Sequence, residues 1–355
     1  MNHSLDTQSN RVNLRLCLLF LFIFSIQKTN IMAQKAPDYL VDPNLSPAVK
    51  AFLKPMNAGG PPLESLPKED ARNVLVGAQA SVKVDLSGIN ESEKTIKIDG
   101  HIIKLNIVRP AGIKQKLPVF IFIHGGGWIL GDYPTHKRLV RDLVVASGKA
   151  AVFVNYTPSP EAHYPQAINE IYSATNWVSK HGDEINVDGN KMAVVGNSVG
   201  GDMATVLCLM AKEKGGPDIK LQILMWPVTD VDFTRPSWQM YGEQRFLTTA
   251  VMKWMWDQYT TDPNERKQKY ASPYQASVEE LKGLPPALIQ VAENDILRDE
   301  GEAYGRKLEE AGVTVTSVRY NGTIHDFGLL NGLAETTQVK ALISQAAAEL
   351  KRYLR

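Results

Sequence analysis

Cysteine is almost missing from this chain of 355 residues, which has only two, and one of them, Cys17, lies in an N-terminal apolar stretch. The single remaining thiol, Cys208, excludes an intrachain disulfide framework and a cysteine-rich zinc site. Neither sign of charge dominates. Thirty-nine basic against 38 acidic residues give a net +1, without the basic excess of a nucleic-acid binder. Internal repeats and low-complexity tracts are absent as well. With 44% hydrophobic and 22% charged residues, the composition excludes disorder, collagen and coiled coil as whole-chain answers. The length accommodates one large α/β domain or two average ones.

Long apolar runs are also lacking. The longest, residues 16–26, follows Arg11 and Arg15 and falls well short of the roughly 20 residues of a spanning helix. No stable membrane anchor is expected. Basic flank, short apolar core and polar exit occur in the order of a signal peptide, with Ala33 as the cleavage site and Ile31 larger than the residue preferred there. Residues 1–33 are therefore read as a signal peptide of a secreted or periplasmic protein. Its removal takes away Asp6, Arg11, Arg15 and Lys28, a net +2, and leaves the chain near −1. The alternative is translation from Met32 and a cytoplasmic protein.

What is present is a rhythm. From about Leu86, short β-rich runs alternate with helical segments. Runs 94–98 and 102–108 are joined by Asp99-Gly100, a two-residue hairpin signal. Further runs at 118–123, 150–155, 192–195, 221–226, 287–292 and 313–320 are mostly apolar on both faces, as strands covered by helices must be. Helices are expected near 136–147, 165–181, 200–214, 300–311 (ending at Gly312) and 338–354. A hairpin followed by βα units implies a mostly parallel sheet with right-handed crossovers. Two stretches break the rhythm: proline-rich 35–81, and aromatic-rich 230–275 with Trp238, Tyr241 and Phe246. The second reads either as a buried helical pair or as a lid over a substrate pocket.

The chemistry lies at the ends of these strands. Gly196-Asn197-Ser198-Val199-Gly200 matches G-x-S-x-G between an apolar strand and a helix, where a nucleophile elbow needs small residues around a strained turn. His124-Gly125-Gly126-Gly127-Trp128 follows another strand directly. Its bare amides at Gly126 and Gly127, joined by that of Val199, suit an oxyanion hole. Neither the P-loop nor the dinucleotide glycine pattern occurs, which argues against a nucleotide site. His124 precedes the serine by 74 positions and reads as a structural residue. Asp295 and His325 stand on loops after the last two strands, and Ser198, Asp295, His325 is the chain order an α/β-hydrolase sheet imposes on its triad. The rival acids are Asp299, read as a helix cap, and Asp326, whose carboxylate chain geometry directs away from its neighbour His325.

On these residues the sequence resembles the hormone-sensitive-lipase-like α/β-hydrolase esterases over about residues 85–355. Tyr156-Thr157-Pro158-Ser159-Pro160-Glu161, Leu284-Pro285-Pro286-Ala287, Asp295-Ile296-Leu297-Arg298-Asp299-Glu300-Gly301 and His325-Asp326-Phe327 add to the two glycine motifs. The resemblance implies an α/β-hydrolase fold with an eight-stranded sheet over 82–355, a lid made from 34–81 and an insertion at about 230–275. It also implies hydrolysis of a small-molecule carboxylic ester through an acyl-enzyme, with Ser198, Asp295 and His325 as the triad and neither metal nor organic cofactor. Where the family elbow reads G-D-S-A-G-G-N, this chain has Asn197, Val199 and Asp202. Val199 is expected to narrow the acyl pocket, and Trp238, Tyr241 and Phe246 to line it. A peptidase or amidase with the same triad is the alternative. A silent binding protein on this fold is disfavoured by the presence of His325.

Overall fold

Eight strands form one sheet in the order β1-β2-β4-β3-β5-β6-β7-β8. This is a computed structural model, and it describes residues 35–355, so the signal-peptide reading of 1–33 falls outside the described residues. The strands are β1 Ile89–Ile98, β2 His101–Pro110, β3 Leu117–Ile123, β4 Ala150–Asn155, β5 Val187–Asn197, β6 Ile219–Met225, β7 Ala287–Asn294 and β8 Val315–Ile324. β2 runs antiparallel to β1 and β4, and every later pairing is parallel. Asp99 and Gly100 both have positive φ, 50° and 81°, the conformation a tight two-residue hairpin demands. β1 extends back to Ile89 through a ladder pairing it with Pro110. Its residues Asn90–Glu93 are polar, so hydrophobic patterning alone does not extend the strand N-terminal to the run 94–98.

Helices cover both faces: α1 Pro47–Met56, α2 Lys68–Ala80, α3 Tyr133–Ser147, α4 Gln166–His181, α5 Val199–Lys214, α6 Pro236–Met240, α7 Thr249–Tyr259, the short α8 Pro263–Arg266 and α9 Val278–Leu281, α10 Arg298–Glu310 and α11 Thr337–Tyr353. β3 is buried along most of its length, and Phe120, Ile121, Phe122 and Ile123 show no exposure. Burying such a strand on both faces removes several large side chains from water, each contributing about 1.5–3 kcal/mol.

The two arrhythmic stretches fold onto the carboxyl edge of the sheet. α2 docks through Arg72, whose Nε donates to Ile129 O at 2.9 Å and whose guanidinium pairs with Glu161 at 2.8 Å. The segment before α1 is held by a fully buried ion pair, Arg245 to Asp42 at 2.7 Å, and Arg245 also donates to Pro37 O. Breaking one partner of such a pair costs about 3–5 kcal/mol, because the other charge stays buried.

Candidate active site

β5 ends at Asn197 and α5 begins at Val199, so Ser198 alone makes the turn, at φ 55° and ψ −124°. A β-carbon on Gly200 would sit 2.1 Å from Ile123 O, and this close helix-to-strand approach is what the flanking glycines allow. The strain is held in place because the Ser198 N–H donates to Met225 O and its carbonyl accepts from Gly201 and Val228.

The loops after β7 and β8 bring Asp295 and His325 to this turn. His325 Nε2 lies 3.0 Å from Ser198 Oγ, and Nδ1 lies 2.7 Å from Asp295 Oδ2. Asp295 Oδ1 accepts the Leu297 N–H at 3.0 Å, which fixes the carboxylate. All three side chains are buried. Burial pulls the imidazole pKa down, but the charges of Asp295 and Asp326 outweigh it and leave His325 above its ordinary value. Hydroxyl, imidazole and carboxylate are thus joined in one hydrogen-bonded line, the arrangement that proton transfer from a serine requires.

The glycine loop lies beside them. Gly126 and Gly127 have φ of 101° and 62°, and among the described residues neither N–H is given to a protein acceptor. The Val199 amide is the first of α5 and has no partner one turn back. His124 is buried, stacked on Tyr156 at 4.1 Å, and burial holds its pKa down to about 4, so it is a neutral part of the loop's floor. A β-carbon at Gly127 would fall 2.0 Å from Met255 Sδ in a left-handed backbone. Gly127→Ala keeps the N–H but strains this left-handed turn and crowds Met255, so the amide has to move, and kcat should fall by up to about 10²–10³-fold, the size of effect expected when one donor amide is displaced from an oxyanion. Steady-state kinetics on a small ester, alongside an unchanged circular dichroism spectrum, checks this.

Above Ser198 lies a largely apolar cavity of about 130 Å³, lined among others by Leu75 of α2, Phe246, and Val251 and Met255 of α7. Of the three expected aromatics, only Phe246 lines it. Trp238 instead packs on Phe233 and donates through Nε1 to buried Glu300 at 3.0 Å. Tyr241 stacks on Arg298 and accepts its guanidinium N–H at 2.9 Å. Both knit the insertion to α10. Val199 is corrected in the same way: its side chain is wholly buried in the core and is absent from the cavity wall. Asp299 is no helix cap either, since it stands in the first turn of α10 and accepts the Ser237 N–H at 2.8 Å.

Two features escaped sequence reasoning. Met255 and Val251 recur at i, i+4 within a helix already read as aromatic-rich, and only the fold shows which face turns to the serine. The partners of Asn197, itself marked in the sequence as a departure from the family elbow, are the other. Its Oδ1 accepts the Gly125 N–H at 3.0 Å while its Nδ2 donates to Asp326 Oδ1 at 3.2 Å.

A strand-to-helix serine with a histidine–carboxylate pair on later loops, over a mostly parallel sheet, defines a serine hydrolase of the α/β type. Comparison with known proteins narrows this. A family model described as the alpha/beta hydrolase fold matches residues 120–329, and the chain belongs to that family, in its hormone-sensitive-lipase-like branch. A putative alpha/beta hydrolase of Acanthamoeba polyphaga mimivirus is 37% identical over 87% of this chain and 88% of its own. An ethyl acetate hydrolase of Pseudomonas putida is 31% identical over 82% and 94%. The crystal structure of a thermostable esterase from Pseudomonas putida ECU1011 superposes with a TM-score of 0.87 at 61% identity, covering 88% of this chain and 99% of that one. The chain is a serine carboxylic-ester hydrolase.

Proposed function

We propose that this enzyme hydrolyses short-acyl esters of small molecules, with Ser198 as nucleophile, His325 as general base and then acid, and Asp295 as the orienting carboxylate. Ser198 Oγ attacks the ester carbonyl as its proton passes to His325 Nε2. The amides of Gly126, Gly127 and Val199 take the negative oxygen. The C–O bond to the alcohol then breaks, and His325 returns the proton to the departing oxygen. Water, deprotonated by His325, repeats the sequence on the acyl-enzyme and frees Ser198. The observation that carries this reading is the hydrogen-bonded line Asp295–His325–Ser198 opening into an enclosed apolar cavity.

Cavity size supports the acyl preference. A volume of about 130 Å³ corresponds to roughly four water volumes. A longer chain gains about 0.8 kcal/mol per buried methylene but must displace packed side chains to do so. The segments 35–81 and 230–275 serve as the lid that closes this space. Phe246, whose backbone is held at φ 73°, lines both this cavity and a shallower outer groove shared with Met56, Leu63, Val74 and Val251. Across a series of p-nitrophenyl esters, kcat/KM should peak between acetyl and hexanoyl and fall beyond octanoyl, with no jump at a lipid–water interface. Phe246→Ala should raise octanoyl relative to acetyl by about tenfold. A wild-type optimum at dodecanoyl would refute this account of the lid.

Export to the periplasm or medium belongs to the same proposal. Its support is Arg11, Arg15 and the apolar run before Ala33. N-terminal sequencing of the mature protein, expected to begin at Gln34, tests it.

A further inference from the structure

Beside His325, with Asp326 reaching the wall of the cavity above Ser198, lies a buried cluster that the catalytic sequence above does not use. Asp326 Oδ1 accepts two N–H groups, from Trp226 Nε1 at 2.7 Å and from Asn197 Nδ2 at 3.2 Å. Asn197 in turn accepts the Gly125 N–H, at the start of the loop that carries Gly126 and Gly127. The other carboxylate oxygen, Oδ2, stands 3.9 Å from His325 Nε2, on the side of the ring opposite Asp295. This distance is too long for a hydrogen bond, so Asp326 leaves Nε2 free for Ser198 Oγ at 3.0 Å. It is short enough for a buried carboxylate to act strongly on a charged imidazole. Both Trp226 and Asp326 have positive φ, 37° and 59°, strained backbone that persists only where surrounding contacts fix it.

We infer that Asp326 is a positioning residue for ester hydrolysis: a second carboxylate that stabilises the imidazolium of His325 from the Nε2 side while, through Asn197, it sets the oxyanion loop. The inference rests on reading Ser198, His325 and Asp295 as the triad. Asn197 must be an amide for this to work. One of its ends accepts from Gly125 and the other donates to Asp326, whereas a carboxylate there would face Asp326 directly, and two such groups do not both ionise. The charged groups acting on His325 are Asp295 after β7, Asp326 beside it and, farther off, Glu300 of α10. Burial pushes Glu300 up to about 8, so its charge is largely missing near neutrality and Asp326 is the adjustable one. Burial also raises Asp326 above the usual carboxylate range, with His325, Trp226 and Asn197 pulling the other way.

Asp326→Asn separates charge from structure. Its amide oxygen still accepts from Trp226 and Asn197, but the negative charge is gone. His325 acts as base only when neutral, so removing a group that favours the imidazolium moves the acid limb of kcat/KM to lower pH. The expected displacement is about one pH unit, with plateau kcat down by at most about tenfold because the base is weaker. NMR titration of the His325 ring should move by the same amount. Asn197→Ala, which strips the Gly125 acceptor and one of the two donors to Asp326, should lower kcat with little change in KM and move the limb to lower pH by less than Asp326→Asn does. An unchanged titration in Asp326→Asn overturns the inference and leaves the triad standing. A moved titration with an unmoved rate profile shows that His325 is not the base, and both readings fail. A kcat loss in Asp326→Asn as large as that of Asp295→Asn shows that Asp326 is the orienting acid, and the inference fails in that case too.

Discussion

Ser198→Ala should lower kcat by about 10⁴-fold or more while the protein stays folded. The effect is large because nucleophile, base and acid act as one unit. Without Oγ there is no covalent intermediate, and His325 at 3.0 Å has no proton to take. The residual rate comes from the oxyanion amides and the closed cavity alone. Stability should change little, since Oγ makes its hydrogen bond to His325 while the strained turn is held by backbone bonds to Met225 and Val228. A phosphonate or sulfonyl fluoride should label the wild type at Ser198 and leave the variant unlabelled. Retention of most activity in the variant would remove the proposed mechanism altogether.

The parts of this molecule that were legible in the sequence are those fixed by short-range rules. β3 announces itself by five consecutive apolar residues and is buried on both faces. The hairpin follows from Asp99-Gly100, and the elbow from glycines that a close helix-to-strand approach requires. Chain order put Asp295 and His325 on adjacent loops at one sheet edge, and the structure brings both to Ser198. What was not legible depends on which way a side chain turns within an element of known type. Trp238 and Tyr241 belong to a stretch rightly singled out as aromatic, yet Glu300 and Arg298, some 60 positions away, draw them toward α10. Val199 was expected at the acyl pocket for its bulk. The first turn of α5 instead buries that side chain in the core, and it lines no part of the cavity. Asp326 was set aside because it adjoins His325 in sequence. Its φ of 59° reverses the chain locally and returns Oδ2 to within 3.9 Å of the ring.

Asp295→Asn carries the next largest expected effect, and it discriminates among three acids. Asp295 Oδ2 accepts from His325 Nδ1 at 2.7 Å, so the neutral ring carries its proton on Nδ1 and offers a lone pair at Nε2 to Ser198. An amide at this position can present an N–H to Nδ1. That stabilises the opposite tautomer, whose Nε2 is already protonated and cannot act as base. The carboxylate that would stabilise the imidazolium is lost with it. Together these should lower kcat by about 10⁴-fold, with little change in KM for a small acetyl ester. Asp299→Asn should cost far less, because Asp299 accepts the Ser237 N–H and pairs with Arg298, contacts that brace the insertion against α10 without touching His325. Equal losses in Asp295→Asn and Asp299→Asn would mean that the insertion, and not the imidazole tautomer, controls the rate. The acid limb of any residual Asp295→Asn activity should also lie below that of the wild type, since Asp295 is the foremost of the charges holding the His325 pKa up against burial. A limb displaced upward would contradict the assignment, because only a group that favours the neutral ring gives that sign on removal.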